Sequence, residues 1–268
     1  MGRRDLLTDD ERRLVFGFPT ERDALARLYT FGPADVALIE ARRGSSNRLG
    51  FALQLALIRH PGFATVRVDE APEELVAYVA EQLRLPTSAL RDYARRPQTS
   101  TDHTREIGVA LGLRAPRGAD FSLMIEAAAR AAWATDKGLP IALGVIETLR
   151  AERILLPAPT VIERVGVAGR AKARRRTADA LLADLSLDQI AQLDALLTVD
   201  SPMNATPLAW LKNTPSAPSA AHVRELADKL TFVRRLGIAP GCAARVHPDR
   251  FHQFVREGRT SLERNPFR

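Results

Sequence analysis

Helical periodicity along nearly the whole chain is the feature that most restricts its fold. Apolar residues recur three and four positions apart in segment after segment, and glycines or prolines separate these segments. Thr8–Glu11, Thr160–Glu163 and Ser186–Gln189 have the pattern of capping boxes, which begin helices. Only the segment 63–69 alternates polar and apolar residues, as a short strand or an extended loop does. The sequence therefore predicts an all-α protein.

The helices can be placed from the same patterns. Thr20 is predicted to cap the second helix, Pro33 suits the first turn of the third, and Pro86 follows a helix that ends near Leu83. A one-turn helix is expected around Trp210, inside a loop that is otherwise interrupted by prolines. Further helices are predicted at 103–113, 120–135, 139–152, 160–184, 219–237 and 248–257.

Composition favours a partner with negative charge and excludes several other classes of protein. The 268 residues carry 39 basic and 32 acidic side chains, a net charge of +7, and only four of the basic residues are lysines. Arginine suits phosphates and guanine edges, although a GC-rich genome also produces such a bias. The single Cys242 excludes a disulfide framework and a multi-cysteine zinc site. We expect a cytoplasmic protein that binds no metal or cofactor, because no membrane span, signal peptide or nucleotide-binding loop is found.

The segment 42–48, between two apolar helices, is the clearest candidate for binding an anion. Gly44 suits a left-handed turn after the first helix, and one of the next three residues can cap the second. The first turn of that second helix offers N–H groups and a partial positive charge to a phosphate, and arginines add charge-assisted contacts. The corner residues predicted to contact DNA are Arg42, Arg43, Ser45, Asn47 and Arg48. In the alternative, Arg42 and Arg43 only complement the dipole at a helix carboxyl end.

Two further segments combine cations with hydrogen-bonding side chains. The first leads into the helix predicted at 103–113, and its hydroxyl, amide and guanidinium groups suit contacts with phosphates or base edges. Its candidate residues are Arg95, Arg96, Gln98, Thr99 and Arg105. The second lies within two turns of the helix predicted at 160–184, where five cations are assigned mainly to phosphates. They are Arg170, Lys172, Arg174, Arg175 and Arg176.

The helix predicted at 160–184 also carries a narrow strip of small residues at helical spacing. They are Gly166, Gly169, Ala173, Thr177 and Ala180. A helix-interior glycine costs about 1 kcal/mol relative to alanine, so we expect close packing along this strip to offset that cost. The cations would then lie on the other sides of the helix. The alternative is a solvated basic helix whose charges pair with Glu163, Asp179 and Asp184.

Several motifs resemble the amino-terminal region of the Tn-three family of replicative bacterial transposases. The most specific block is RRG, a gap of two residues, and NRLGFA, at residues 42–44 and 47–52. Further matches extend the resemblance from residue 2 to about Gly258, after which RTSLERNPFR departs from the family pattern. They are Tyr29–Phe31, Gln54–Leu55, Arg59, Pro61–Gly62, Tyr93, Gln98–Thr99, His103, Thr135–Gly138, Ile154–Pro157 and Trp210–Leu211.

The resemblance implies a DNA-binding fragment that recognises the terminal inverted repeats of a transposon. It also implies two helical DNA-binding domains, a helix-turn-helix-like one at 1–62 and a larger one at 70–258, followed by a divergent tail at 259–268. The catalytic Asp-Asp-Glu triad of such transposases belongs to a ribonuclease-H-like domain further along the polypeptide. We therefore expect this chain to bind double-stranded DNA without cutting it, and we nominate no catalytic residues.

Two other functions remain open at this point. The chain could be a helical scaffold for self-association or for contact with a full-length transposase, in which case its DNA binding would depend weakly on salt. It could also be a truncated transposase that regulates transposition by occupying transposon ends. A remnant of the catalytic region in another reading frame downstream of the gene would favour this last function.

Overall fold

The structure, a computed structural model, describes residues 5–63, 68–93, 97–199, 205–213 and 219–263. Within these ranges the chain forms α-helices, short 3-10 turns and a few isolated bridges, and none of these ranges contains an extended β-strand. The prediction of an all-α fold is confirmed. The chain divides into two compact units, Met1–Ala132 with Lys137–Arg170, and Trp133–Asp136 with Ala171–Arg268. The predicted boundary between residues 62 and 70 lies inside the first unit, and the assignment of two DNA-binding domains stays a prediction.

Most of the helices belong to the first unit. They are α1 (Asp9–Phe16), α2 (Arg22–Tyr29), α3 (Pro33–Glu40), α4 (Ser45–Arg59), α5 (Glu73–Leu83), α6 (Pro97–Leu111), α7 (Asp120–Ala131) and α8 (Gly138–Ala151). The long helix α9 (Pro159–Leu182) begins in the first unit and ends in the second. The second unit continues with α10 (Leu187–Ala195), α11 (Pro207–Lys212), α12 (Ala220–Arg235) and α13 (Pro248–Glu263). Turns of 3-10 helix lie at Val68–Glu70, Thr87–Asp92 and Pro240–Arg245.

The central helix of the first unit's core is α4. Every residue from Leu49 to Ile58 is buried, because α4 is apolar on nearly all sides and has neighbours on nearly all sides. Helices α3, α5 and α6 pack around it, together with the turn Thr87–Asp92. Burying each leucine or phenylalanine side chain stabilises the folded state by about 1.5–3 kcal/mol relative to leaving it exposed. Apart from the exposed Arg59 at its end, only the first turn of α4, residues 45–48, is accessible to a ligand.

Two of the predicted capping boxes are confirmed. In the first, the Glu11 N–H donates to Thr8 Oγ1 at 3.2 Å, and the Thr8 N–H donates to Glu11 Oε2 at 2.9 Å. In the second, the Gln189 N–H donates to Ser186 Oγ at 3.2 Å, and the Ser186 N–H donates to Gln189 Oε1 at 2.9 Å. These bonds satisfy N–H groups that helix formation leaves without an acceptor.

Two predicted caps are wrong. Helix α2 starts at Arg22, and Glu21, not Thr20, occupies its cap position without a side-chain hydrogen bond. Helix α9 starts at Pro159, so Thr160 lies inside the first turn rather than in front of it. Proline is favoured at the first helical position because its φ is already fixed near the helical value. The carboxylate of Glu163 instead accepts from Arg12, with Nε and Oε1 2.9 Å apart.

Other boundaries also differ from the prediction. Of the strand predicted at 63–69, Phe63 forms an isolated parallel bridge with Leu156, whereas Asp69 lies in a 3-10 turn. Residues 64–67 lie outside the described residues. Helix α6 begins at Pro97, six residues before the predicted start, again with proline in the first turn. Helix α13 continues to Glu263, six residues beyond the predicted end.

The predicted close packing along α9 is confirmed in the first unit. A Cβ added to Gly169 would lie 2.3 Å from the Cβ of Ala128 on α7. A Cβ added to Gly166 would lie 2.2 Å from Cδ2 of Leu6. The other residues of the strip are also buried, and only Ala180, at its end, is partly exposed. Larger side chains at these positions would force neighbouring elements apart.

No helix among the described residues is both long and apolar enough to cross a membrane.

Candidate nucleic-acid interface

The first turn of α4 begins without a side-chain cap. Gly44 takes the cap position with φ at +80°, a value that glycine adopts without strain. The first main-chain bond of the helix runs from the Arg48 N–H to the Gly44 carbonyl at 3.1 Å, so the three preceding N–H groups lack an intrahelical acceptor. The predicted side-chain cap is therefore wrong, because Gly44 brings Ser45 directly into the helix. The predicted positive φ of Gly44 is confirmed.

The three arginines of this corner differ in what surrounds them. Arg43 and Arg48 are exposed, and among the described residues neither makes an ion pair. The Arg48 Nε donates to the Arg42 carbonyl at 3.0 Å, which ties this side chain across the turn. Arg42 pairs with Glu106, and its guanidinium carbon lies 4.9 Å from the ring centre of Phe51. The corner thus presents two cations, whereas the third is held within the fold.

Asn47 also contributes to the shape of this corner. Its Nδ2 donates to the Arg43 carbonyl at 3.2 Å, one turn back across the start of α4. Asn47 is partly exposed and Ser45 is exposed, so both side chains border the uncapped turn.

Polar and aromatic contacts fasten α4 to α6. Gln54 is fully buried, and its Nε2 donates to Ser100 Oγ at 2.6 Å. His103 lies edge-on to Phe51 with ring centres 5.1 Å apart, and it stacks on Tyr93 at 5.8 Å. The Tyr93 hydroxyl and His103 Nδ1 are 2.9 Å apart, within hydrogen-bond distance. Because glutamine, histidine and tyrosine at these places match the resemblance motifs, much of that motif serves to hold the α4 corner against α6.

Burial changes the titration of this contact. It lowers the pKa of His103, and the cation of Arg42 lowers it further, whereas Glu106 and Asp102 act in the opposite direction. Burial also raises the pKa of the Tyr93 hydroxyl. Both groups are therefore neutral at pH 7, and they join α4 to α6 as a neutral hydrogen-bonded pair.

The predicted residues of the second segment lie on α6, except for Arg95 and Arg96, which fall outside the described residues. Gln98 Nε2 and Arg105 Nη2 each donate to Asp102 Oδ1 at 3.1 Å. Thr99 is partly exposed, one residue from the buried contact made by Gln54. The structure therefore brings Gln98 and Arg105 together on the exposed side of α6.

The cations of the third segment lie on α9, where the helix passes into the second unit. Arg174, Arg175 and Arg176 are exposed, whereas Arg170 and Lys172 are partly exposed. The alternative prediction was that Glu163, Asp179 and Asp184 pair with the α9 cations, but two of these acids have other partners. Glu163 bonds to Arg12, and Asp184 pairs with Arg245 at 2.5 Å.

Asp136 connects one α9 cation to other elements of the second unit. Its Oδ2 accepts from Arg174 Nη2 at 3.0 Å, and its Oδ1 lies 2.6 Å from Nη1 of the fully buried Arg250. Burial raises the pKa of this carboxyl, but hydrogen bonds from Arg174 and Arg250 outweigh it, so the pKa is lowered. The guanidinium carbon of Arg250 also lies 5.2 Å from the ring centre of Phe254. Asp136 therefore links the start of the second unit to α9 and α13.

Sequence reasoning missed the acids that organise these segments. Asp102 and Glu106 on α6 had no distinguishing signal, because each looks like an ordinary surface residue of a helix. Asp136 belonged to a matched motif, although its role as an ion-pair partner could not be read from it. Arg250 could not be separated from other arginines, since its complete burial depends on how α13 packs.

No cluster of three or more His, Cys, Asp or Glu side chains in the described part of the chain is arranged to hold a metal ion.

Comparison with known proteins adds a family and a set of relatives. A domain of unknown function, DUF4158, matches residues 6–169. The chain is 36% identical over 259 residues to the transposase for transposon Tn501 of Pseudomonas aeruginosa, covering 96% of this chain and 26% of that protein. It is 34% identical over 259 residues to the transposase for transposon Tn21 of Escherichia coli, with the same coverage. The transposase for transposon Tn1546 of Enterococcus faecium is 28% identical over 257 residues, covering 95% of this chain and 26% of the relative. The chain thus spans about a quarter of the length of the curated relatives it matches.

Proposed function

The chain belongs to the DUF4158 family, and because it corresponds to about a quarter of several transposases, we propose that it is a DNA-binding region that recognises the terminal inverted repeats of a transposon. The comparisons support the link to transposition. The DNA-binding role is argued from the helix corner and the cationic segments of the structure. The same proposal places the protein in the cytoplasm, with duplex DNA as its partner.

The observation that carries this proposal is the uncapped first turn of α4. Three N–H groups without an intrahelical acceptor stand at the positive end of a 15-residue helix. The exposed Arg43 and Arg48 flank that turn and can donate to the same phosphate. Helix α4 is buried from Leu49 to Ile58, so this phosphate site would rest on a rigid support. We assign Arg43, Arg48 and Ser45 to contacts with the phosphate backbone of the DNA.

Arg42 has a different part in the proposal. Its guanidinium is held by Glu106 and by the ring of Phe51. We therefore propose that Arg42 positions the turn and does not contact a phosphate directly. Asn47, Gln98 and Thr99 remain proposed readers of base edges, since amides and hydroxyls match the groups exposed in the major groove. Arg105, paired with Asp102 on the exposed side of α6, would exchange that acid for a phosphate.

The α9 cations would add sequence-independent affinity. Arg174, Arg175 and Arg176 are consecutive and exposed, and each phosphate that a cation neutralises releases counterions. Arg170 and Lys172 are proposed to assist them from the less exposed sides of the helix. Strand cleavage is assigned in this proposal to the three quarters of the transposase polypeptide that the chain does not match. Incubating the chain with end-containing DNA and Mg²⁺ would contradict this assignment if cleaved strands appeared.

Fluorescence anisotropy with labelled duplexes tests the proposal. The inverted repeat that borders this gene is compared with a shuffled sequence at several salt concentrations. We expect a preference of about a thousandfold for the repeat, the usual gap between specific and non-specific binding. Equal affinity for both duplexes would overturn end recognition and leave only a basic helical surface.

A pair of variants connects that binding to the α4 corner. Arg43→Ala with Arg48→Ala should reduce the slope of log affinity against log salt by about 0.9 for each phosphate that the variant no longer neutralises. The matched control is Arg27→Ala with Arg130→Ala, which removes the same charge from exposed positions on α2 and α7. Equal slopes for the two double variants would remove the corner from the interface.

A further inference from the structure

Helix α6 has an exposed side along which four chemically different side chains stand in a row, and we term it the α6 face. It consists of Gln98, Asp102, Arg105 and Val109. Their spacing of four, three and four residues aligns them on one side of a helix. Asp102 is partly exposed and the other three are exposed, Val109 by 78%. The opposite side of the helix, with His103 and Ile107, is buried. A row of about 16 Å, at about 1.5 Å per residue, is therefore accessible to a partner.

Asp102 is the centre of the α6 face. Its Oδ1 accepts from Gln98 Nε2 and from Arg105 Nη2, each at 3.1 Å. The Arg105 side chain is 75% exposed and that of Asp102 is 37% exposed. Pairs that are this accessible to water contribute little to stability. The three side chains can therefore exchange their mutual contacts for contacts with a ligand at small cost.

Groups that suit phosphates lie on both sides of the α6 face. On one side, Glu106 pairs with Arg42, so the α4 corner adjoins the helix there. On the other side, Thr104, Arg105 and Arg114 line an open cleft. Glu106 and Thr104 are two residues apart, which is about 200° around a helix. The major groove is about 12 Å wide, admits one α-helix, and has a sugar-phosphate backbone along each edge. The surroundings of α6 therefore match those of a helix that enters this groove.

The side chains of the α6 face also match the edges of bases. A glutamine amide such as that of Gln98 pairs with adenine, and an apolar side chain such as that of Val109 contacts the methyl group of thymine. The carboxylate of Asp102 is more selective, because phosphates repel it and it can only accept hydrogen bonds. It costs affinity unless a base donates to it. The N4 amino group of cytosine is the donor that carboxylates take in the major groove.

We propose that α6 enters the major groove, that Asp102 accepts a hydrogen bond from the N4 amino group of a cytosine, and that Val109 contacts the methyl group of a thymine. Arg105 then leaves Asp102 for a phosphate, and the cytosine amino group takes its place as donor. Val109 follows Asp102 by about 10 Å along the helix, so the two bases lie about three base pairs apart. This inference rests on the proposed recognition of the inverted repeat, and it adds the helix that reads the repeat and two of the bases it requires.

Replacing each base pair of the repeat in turn, with affinity measured by fluorescence anisotropy, is the first test. The wild type should lose about tenfold or more when the cytosine that Asp102 contacts is replaced. Asp102→Asn should prefer A·T to C·G at that one pair, because an asparagine amide pairs with adenine. Its affinity for a shuffled duplex should rise, since an acid no longer faces the phosphates. The matched control is Asp23→Asn, the same change at an exposed position of α2, which should keep the wild-type profile.

Deoxyuridine tests the contact of Val109, because it lacks only the C5 methyl group of thymidine. When thymidines of the repeat are replaced one at a time, the wild type should lose about fourfold in affinity at one of them, the effect of burying one methyl group. That thymidine should lie about three base pairs from the cytosine found with Asp102→Asn. Val109→Ser should bind both duplexes equally at this position. The control is Leu14→Ser, which changes a residue of 75% exposure on α1.

The outcomes separate this inference from the proposed function. Equal affinity of the wild type for the repeat and the shuffled duplex overturns end recognition, and the inference with it. If the wild type prefers the repeat but Asp102→Asn has the same base-pair profile as its control, or weakens binding uniformly at every pair, the inference alone is overturned. The contact of Val109 is excluded if the wild type tolerates deoxyuridine everywhere or if Val109→Ser still distinguishes it from thymidine. Urea unfolding verifies that each variant is folded, and none of these substitutions changes a buried residue.

Discussion

The Tyr93 ring lies directly against the backbone of Gly50, so that a Cβ at residue 50 would lie 2.1 Å from Tyr93 Cδ2. Glycine at this position lets the turn Thr87–Asp92 and its following tyrosine approach α4. The same tyrosine hydroxyl then reaches His103 on α6. This relationship explains structurally why a glycine stands within the NRLGFA block.

We predict that Gly50→Ala destabilises the protein by about 1–3 kcal/mol through overpacking against Tyr93, even though alanine favours helix formation. Urea unfolding followed by circular dichroism measures this decrease. The control is Gly118→Ala, because a Cβ there would have open space around it. An unchanged or increased stability of Gly50→Ala would mean that the Tyr93 ring moves aside freely.

The Arg42–Glu106 pair predicts an energetic link between the α4 corner and α6. Arg42→Gln and Glu106→Gln should each lower the free energy of unfolding, and the double-mutant cycle should give a coupling of about 0.5–1 kcal/mol, since both groups are partly exposed to solvent. Chemical denaturation of the four proteins gives this coupling. Purely additive effects would show that the two side chains do not support each other.

Ser45→Asp separates phosphate binding at the α4 turn from folding. A carboxylate in the first turn interacts favourably with the positive end of the helix dipole, so the free energy of unfolding should stay equal or rise. The same charge would repel a DNA phosphate from the uncapped N–H groups, and affinity for the inverted repeat should fall about tenfold or more. Anisotropy and thermal unfolding are measured on the same preparations, with Ser45→Asn as the neutral control. Unaltered DNA affinity would place the phosphate elsewhere.

Neutralising Arg174, Arg175 and Arg176 together should flatten the salt dependence of DNA binding by up to about three units of slope. Glutamine substitutions remove the charge and keep helix propensity. The control replaces the exposed Arg27, Arg117 and Arg130 of the first unit with glutamine. If both triple variants change the slope equally, α9 has no special place in the interface.

The buried His103 predicts a loss of stability in mild acid. Its pKa is lowered in the folded state, so the unfolded chain, with an ordinary pKa near 6.5, binds the proton more readily. Stability should therefore fall as the pH decreases below about 6.5 towards the folded pKa of His103, by at most about 1.4 kcal/mol per pH unit for this group.

Unfolding in urea at pH 7.5 and 5.5 measures this effect, and His103→Gln should reduce the difference between the two values. His60, whose pKa is lowered by burial and by Arg150, accounts for part of what remains. The carboxyls of Asp35, Asp120 and Asp136 have lowered pKa values, so the stability they contribute is lost only at more acidic pH. An identical pH difference in wild type and variant would exclude His103 as a source.

Most of the secondary structure could be predicted from local sequence information. Apolar spacing and the Thr8 and Ser186 capping boxes depend on residues within one or two turns, so they could be read directly. The strip of small residues on α9 likewise indicated a close contact, although the partner, Ala128 on α7, could not be named from it. The predictions failed mainly at the ends of elements, because the helices that start at Pro97 and Pro159 begin earlier in the chain than predicted.

The helical character of the chain, the clustering of its cations and its family resemblance all follow from the sequence alone. Which of those cations the fold holds depends on tertiary packing. Arg42 is held by an acid 64 positions away and Arg174 by one 38 positions away, so their surroundings are set by helices distant in sequence. The same holds for α12, whose apolar residues are divided between a covered and an open face by the position of Trp210. Periodicity reports that a face is apolar, whereas burial depends on what the remainder of the chain places against it.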